Sequence, residues 1–220
     1  MARVHSGRGV DRLVNFSDAT VAIAITLLVL PLVDVAAQFG DGEEPAAILR
    51  ENSAAFLAFA ISFAVIGRLW ISHHGVFERV DDHSPALIRV NFVWLASIVF
   101  LPFATNALAA VSGEHKDVVY GLYIGTILVS CLALVLIERT LQRDPALAPD
   151  RGDDPIDLTD GLVTAALLLA ALVVAVTVPA IGIWALLLLL ASAPITRFVS
   201  SRRARRRVPA VPGPGVGGAS

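Results

Sequence analysis

The chain has 220 residues, is 56% hydrophobic and carries only 16% charged side chains, against roughly 25% in soluble domains. Its mean hydropathy is +0.73, and no Asp, Glu, Lys or Arg interrupts residues 161–196. Crossing about 30 Å of hydrocarbon takes about 20 apolar residues, so runs of this length exclude a soluble globular domain. The formal net charge of -2 says little, because the signs are segregated along the chain. One cysteine, Cys131, excludes an intrachain disulfide framework.

Hydropathy predicts six membrane spans, at 13–33, 54–71, 87–111, 118–137, 161–178 and 183–199. No alternating strand pattern and no internal repeat is visible. The fold class is therefore an all-α integral membrane protein with six transmembrane helices. Residues 1–200 form the helical unit, and 201–220 form a basic, then Pro- and Gly-rich, disordered tail.

The first span opens with Arg3, Arg8 and Arg12 and runs Asn15-Phe16-Ser17-Asp18-Ala19-Thr20 into an aliphatic stretch. A basic start, an apolar run and Val35-Ala36-Ala37 imitate a signal peptide, but Asp18 already lies inside the helical pattern, which argues for a retained helix. A helix beginning near Asp11 carries Asp18 about 10 Å along its axis. A carboxylate at that depth needs partners. Ile23, Leu27 and Leu30 have the i, i+4, i+7 spacing of one face, and Asp18 lies about 140° round from Ile23. Thr26, about 60° from Ile23, offers a hydroxyl flanking that face. Aliphatic stripes of this kind also serve lipid or core packing.

The first loop holds Asp34, Asp41, Glu43 and Glu44, an acidic set that would concentrate cations or simply be solvated. The second span ends on Trp70-Ile-Ser-His73-His74-Gly-Val-Phe77. Adjacent histidines on a helix point about 100° apart, and neither cysteines nor an HxxxH spacing joins them, so no metal site is expected. A polar network linking His, Trp, Asn and the Asp18 region is the better reading, since buried polar groups need partners. The third span carries Asn91-Phe92-Val-Trp94 and later Leu101-Pro102-Phe103. The fifth and sixth are joined through Pro179 and Gly182, which favour a tight hairpin.

With six spans, all but two of the 17 basic residues fall on the side of the termini, the exceptions being Arg50 and Lys116. That asymmetry puts both termini in the cytoplasm and the protein in the cell membrane.

Arg12-x-x-x-Phe16-Ser17-Asp18 before an Ile/Leu-rich helix resembles the signature of the transmembrane protein 175 family of potassium channels. So do Trp70-x-x-His73-His74-x-x-Phe77, and Asn91 with the later Leu101-Pro102-Phe103. The motifs cover the first three spans; the later three match in hydropathy only. The resemblance implies a prokaryotic single-repeat channel subunit, assembled as a homotetramer in membrane lipid, with the first helices around the pore. It implies a pore constriction at Ile23, Leu27 and Leu30, and a pore-helix hydrogen-bond network of Arg12, Ser17 and Asp18 with Trp70, His73 and His74. The permeant ion would be K+, with no cofactor, no nucleic-acid partner and no enzymatic activity. A secondary transporter predicts interrupted helices and an internal repeat, and a non-conducting membrane scaffold is the other alternative. No pair of Asp, Glu or His lies at depth in the later spans to serve an intramembrane enzyme.

Overall fold

The computed structural model describes residues 6–40, 44–111, 113–148 and 158–178. Among them are seven α-helices: α1 (Ser6–Leu27), α2 (Leu30–Gln38), α3 (Pro45–Glu51), α4 (Ser53–Phe77), α5 (Pro85–Ala110), α6 (Lys116–Arg143) and α7 (Thr159–Thr177). Five stretches are long and apolar enough to cross a membrane: Gly9–Gln38, Ser53–Phe77, Pro85–Ala110, Lys116–Arg143 and Thr159–Thr177. The sixth predicted span, 183–199, and the tail lie outside the described residues.

The helices start and stop for local reasons. Ser84 caps α5 by accepting a hydrogen bond from the Leu87 N–H at 3.2 Å, with Pro85 in the first turn, where its missing N–H costs nothing. Gly113 takes a positive φ of 81° and turns the chain between α5 and α6, a conformation that suits a residue without Cβ.

The first span differs from the expected single helix. Pro31 offers no N–H to the Leu27 carbonyl, and its ring crowds that oxygen. The chain therefore tightens: Leu28 N–H bonds to the Ile25 carbonyl at 3.2 Å and Val29 N–H to that of Thr26 at 3.3 Å. α2 then begins afresh at Leu30. Val35, Ala36 and Ala37, the imitation of a cleavage site, are helical residues of α2.

The main core is an apolar cluster in which α5 and α6 supply Trp94, Ile98, Leu101, Tyr123 and Ile124, α1 supplies Val21 and Ala24, and Leu28 joins from the turn after α1. A second cluster of Val10, Phe77, Val80, Leu87, Ile137 and Leu141 closes one end of the bundle. There the Asp81 and Asp82 N–H groups both bond to the Leu147 carbonyl, at 2.9 and 3.2 Å, pinning the α4–α5 turn to the segment after α6.

Candidate functional site

α1 has two faces. Ser17, Val21 and Ala24 are buried toward the rest of the bundle, as is Leu28 in the turn that follows. The opposite face is open in the single subunit: Ile23 is 60% exposed and Leu27 37%. Leu30 is 55% exposed, but it belongs to α2 after the turn, so the helical phase that links Ile23 to Leu27 does not carry through to it. Thr26 donates its hydroxyl to the Ile23 carbonyl at 2.8 Å. That leaves only lone pairs to face outward.

The buried face of α1 is fixed by side-chain hydrogen bonds. Trp70 donates its indole N–H to Asp18 Oδ1 at 2.8 Å. Ser17 donates to the Leu13 carbonyl at 2.9 Å, so toward Asn91 its oxygen can only accept, and it does so from Asn91 Nδ2 at 3.0 Å. Asn91 Oδ1 thus points the other way, to His73 Nε2 at 2.8 Å. An amide oxygen only accepts, and His73 must carry its proton on Nε2. The tautomer is set by a chain running from α1 through α5 to α4, and Ser17, His73 and Asn91 are all fully or almost fully buried.

The His73 ring is sandwiched as well. It stacks on Trp94 with centroids 3.9 Å apart and on Phe77 at 4.3 Å. His74, turned away by the helix, stacks on Trp70 at 5.4 Å and meets Glu78 at 3.3 Å. It therefore borders the Trp70–Asp18 contact without entering the buried chain. Arg12 stands outside both: it is exposed and has no ion pair or hydrogen bond among the described residues. Phe16 packs on Phe92 with ring centroids 5.9 Å apart.

Asn91 is the central member of the chain, and its helical surroundings alone do not reveal this, because its partners are remote in sequence. Two further groups of buried hydroxyls carry no motif. Ser62 lies 3.0 Å from the Tyr123 hydroxyl and 2.8 Å from that of Thr105. Ser97 and Ser130 lie 2.7 Å apart, joining α5 to α6. Among the described residues no group of three His, Cys, Asp or Glu side chains could hold a metal ion.

Membrane-spanning helices cross-braced by buried polar contacts define a multi-pass helical membrane protein. Residues 12–102 match the family described as endosomal/lysosomal potassium channel TMEM175. A protein of Streptomyces collinus named a potassium channel is 32% identical over 149 residues, covering 66% of this chain and 70% of that one. The human protein named endosomal/lysosomal proton channel TMEM175 is 31% identical over 122 residues, covering 52% of this chain but only 24% of its own length. The crystal structure of a TMEM175 homologue from Chamaesiphon minutus, described as a lysosomal potassium-selective channel, superposes with a TM-score of 0.69 at 24% identity, covering 86% of this chain and 98% of that one. The chain belongs to the TMEM175 family, a family of ion channels and not of enzymes.

Proposed function

We propose that the protein is the subunit of a potassium-permeable channel, with both termini cytoplasmic, that assembles as a homotetramer around its first helices. The observation that carries this reading is the division of α1: polar braces on one side, and an open face on which Ile23 is 60% exposed. Four copies of that face brought to an axis make a ring of isoleucines, with Leu27 a turn further along and Leu30 beyond the break. Such a ring holds no charge and no oxygen ligand. It gates by dewetting and penalises ions that keep their water tightly. Potassium sheds water more readily than sodium, so the ring favours potassium modestly.

The relatives carry two names, potassium channel in Streptomyces collinus and proton channel in human, and the test separates them. Purified protein is incorporated in a planar bilayer under a potassium gradient at equal pH, then under a pH gradient at equal potassium. A reversal potential that follows potassium supports the reading. One that follows pH alone assigns the pore to protons, and the absence of current favours a scaffold. Native mass measurement in mild detergent is expected to give four copies, and monomer alone would refute the assembly.

A further inference from the structure

We propose that a cavity between α4, α6 and α7 binds the headgroup of a zwitterionic phospholipid that carries a primary amine. The cavity has a volume of about 270 Å³ and is lined by Arg68 and Ser72 of α4, Glu138 of α6, and Asp160 and Thr164 of α7. It lies toward the end of the bundle formed by the C-terminal halves of α4 and α6 and the start of α7.

The charges are segregated by helix. Arg68 and Ser72 stand four residues apart on α4 and so share one face. Both are exposed. Glu138 of α6 and Asp160 of α7 line it from the other two helices. Gly161 is what lets α7 close on α6 here: a Cβ at that position would sit 2.7 Å from Val135 Cγ2 and 3.5 Å from Glu138 Oε2. The missing side chain thus lets the start of α7 approach Glu138, with Asp160 lining the same cavity. Among the described residues, Arg68 and Asp160 make no ion pair, although both face one cavity.

Ionisable groups along a membrane helix require a partner, and Arg68 and Asp160 are the two in this cavity without an ion pair among the described residues. A simple anion would satisfy Arg68 but confront the two carboxylates. A simple cation would do the reverse. A phosphate joined to an ammonium answers both signs: the phosphate takes hydrogen bonds from the Arg68 guanidinium and the Ser72 hydroxyl, and the ammonium donates to Glu138 and Asp160. Thr164 already donates its hydroxyl to the Asp160 carbonyl at 2.8 Å, so it too presents an acceptor to the ammonium. Leu69, Leu134 and Val135 also line the cavity. They offer an apolar surface on which acyl chains can start, which favours a lipid over a free headgroup.

The test does not depend on ion conduction. The full chain is purified in detergent, and lipid retention is read by native mass spectrometry against phosphatidylethanolamine, phosphatidylcholine and phosphatidylglycerol of matched chains. Phosphatidylethanolamine is expected to be retained above the other two. Arg68→Gln should weaken its retention about tenfold, as loss of a hydrogen bond from a charged group does. Asp160→Asn should erase the preference for the primary amine over the trimethylated one. Thermal midpoints in lipid-free detergent check that each variant folds, and Ser72→Ala, expected to weaken retention about threefold, stands in for Arg68→Gln if that variant does not. Equal retention of phosphatidylglycerol, or unchanged retention in both α4 variants, would overturn the proposal and leave the charges neutralised by one another through water. Soluble phosphoethanolamine binding as tightly as the lipid would assign the cavity to the free compound instead.

Discussion

Replacing Asn91 with leucine removes the link between His73 and Ser17 while keeping an apolar side chain of similar size in the core. Ser17 loses little, because its proton stays on the Leu13 carbonyl at 2.9 Å. His73 loses the acceptor that sits 2.8 Å from its Nε2, and at 1% exposure the ring cannot turn to water. An orphaned buried donor costs about 1–3 kcal/mol. His73→Phe keeps the stacking on Trp94 and Phe77 but orphans the Asn91 oxygen, at a similar cost. In the double variant neither polar group remains, and removing both partners together is close to neutral. By these costs the double variant would be less destabilised than the sum of the singles by about 2 kcal/mol or more; side-chain couplings measured between membrane helices average about 0.6 and reach about 1.7 kcal/mol, so a difference of about 1–2 kcal/mol is expected. Reversible unfolding in mixed micelles reads all three. Additivity of the two singles within about 0.5 kcal/mol would show that the His73–Asn91 contact carries no energy of its own, and the brace would then be packing alone.

Asp18→Ala should lower the yield of assembled oligomer without a large change in reversal potential, because it strands the Trp70 N–H now bonded at 2.8 Å; a well-assembled variant with a strongly shifted reversal potential would put Asp18 in the conduction path. Pro31→Ala supplies the Leu27 carbonyl with the donor it lacks and should stabilise the first span by up to about 3 kcal/mol; no gain on unfolding in micelles would mean that packing, not proline, holds the break. Asp34 is exposed beside a cavity of about 470 Å³ lined also by Leu30, Gln38, Asn52 and Asn106, and Asp34→Asn should reduce single-channel current at low salt only. The difference should vanish near 1 M salt, where the screening length falls to about 3 Å, and a deficit that persists there would make Asp34 a direct ligand.

Hydropathy located the five membrane-crossing helices because apolar length is a strong signal, but it misjudged their ends. α4 continues to Phe77 and α6 to Arg143, since helical hydrogen bonding runs on through polar residues after the hydrocarbon ends. The short α3, Pro45–Glu51, has no apolar length to announce it, although Pro45 in its first turn is a start signal. The break at Leu28–Val29 was legible as Pro31 and was missed because the i, i+4, i+7 spacing of Ile23, Leu27 and Leu30 presumes an unbroken helix. Which of two adjacent histidines enters the core is not a property of the pair. Their roughly 100° separation means only that they point in different directions, and contact with Asn91 on another helix selects His73. Arg12 and Asp18 look alike in sequence as membrane-edge charges. They differ because Asp18 is short and falls opposite Trp70, whereas Arg12 lies on the exposed side.

The division of α1 into two faces makes a single substitution decisive. Directional bonds at Ser17 and Asp18 fix the rotation of the helix about its axis. Small apolar contacts such as Ala24 fix it only loosely, because a helix can turn several degrees against them at little cost. Ile23 lies about 8 Å along the axis from Asp18, close enough that the brace controls where it points. If Ile23 forms the narrow ring, Ile23→Asn introduces groups that hold water there. The constriction should wet, conductance should rise, and discrimination between potassium and sodium should weaken. The same change at Leu30 should act in that direction but less, because the break at Leu28–Val29 frees α2 from the rotation that the brace imposes. If Ile23 faces lipid instead, the polar group costs folding energy and leaves permeation alone. Single-channel recording with biionic reversal potentials separates the two: a well-assembled Ile23→Asn channel with unaltered current and selectivity removes the open face of α1 from the pore.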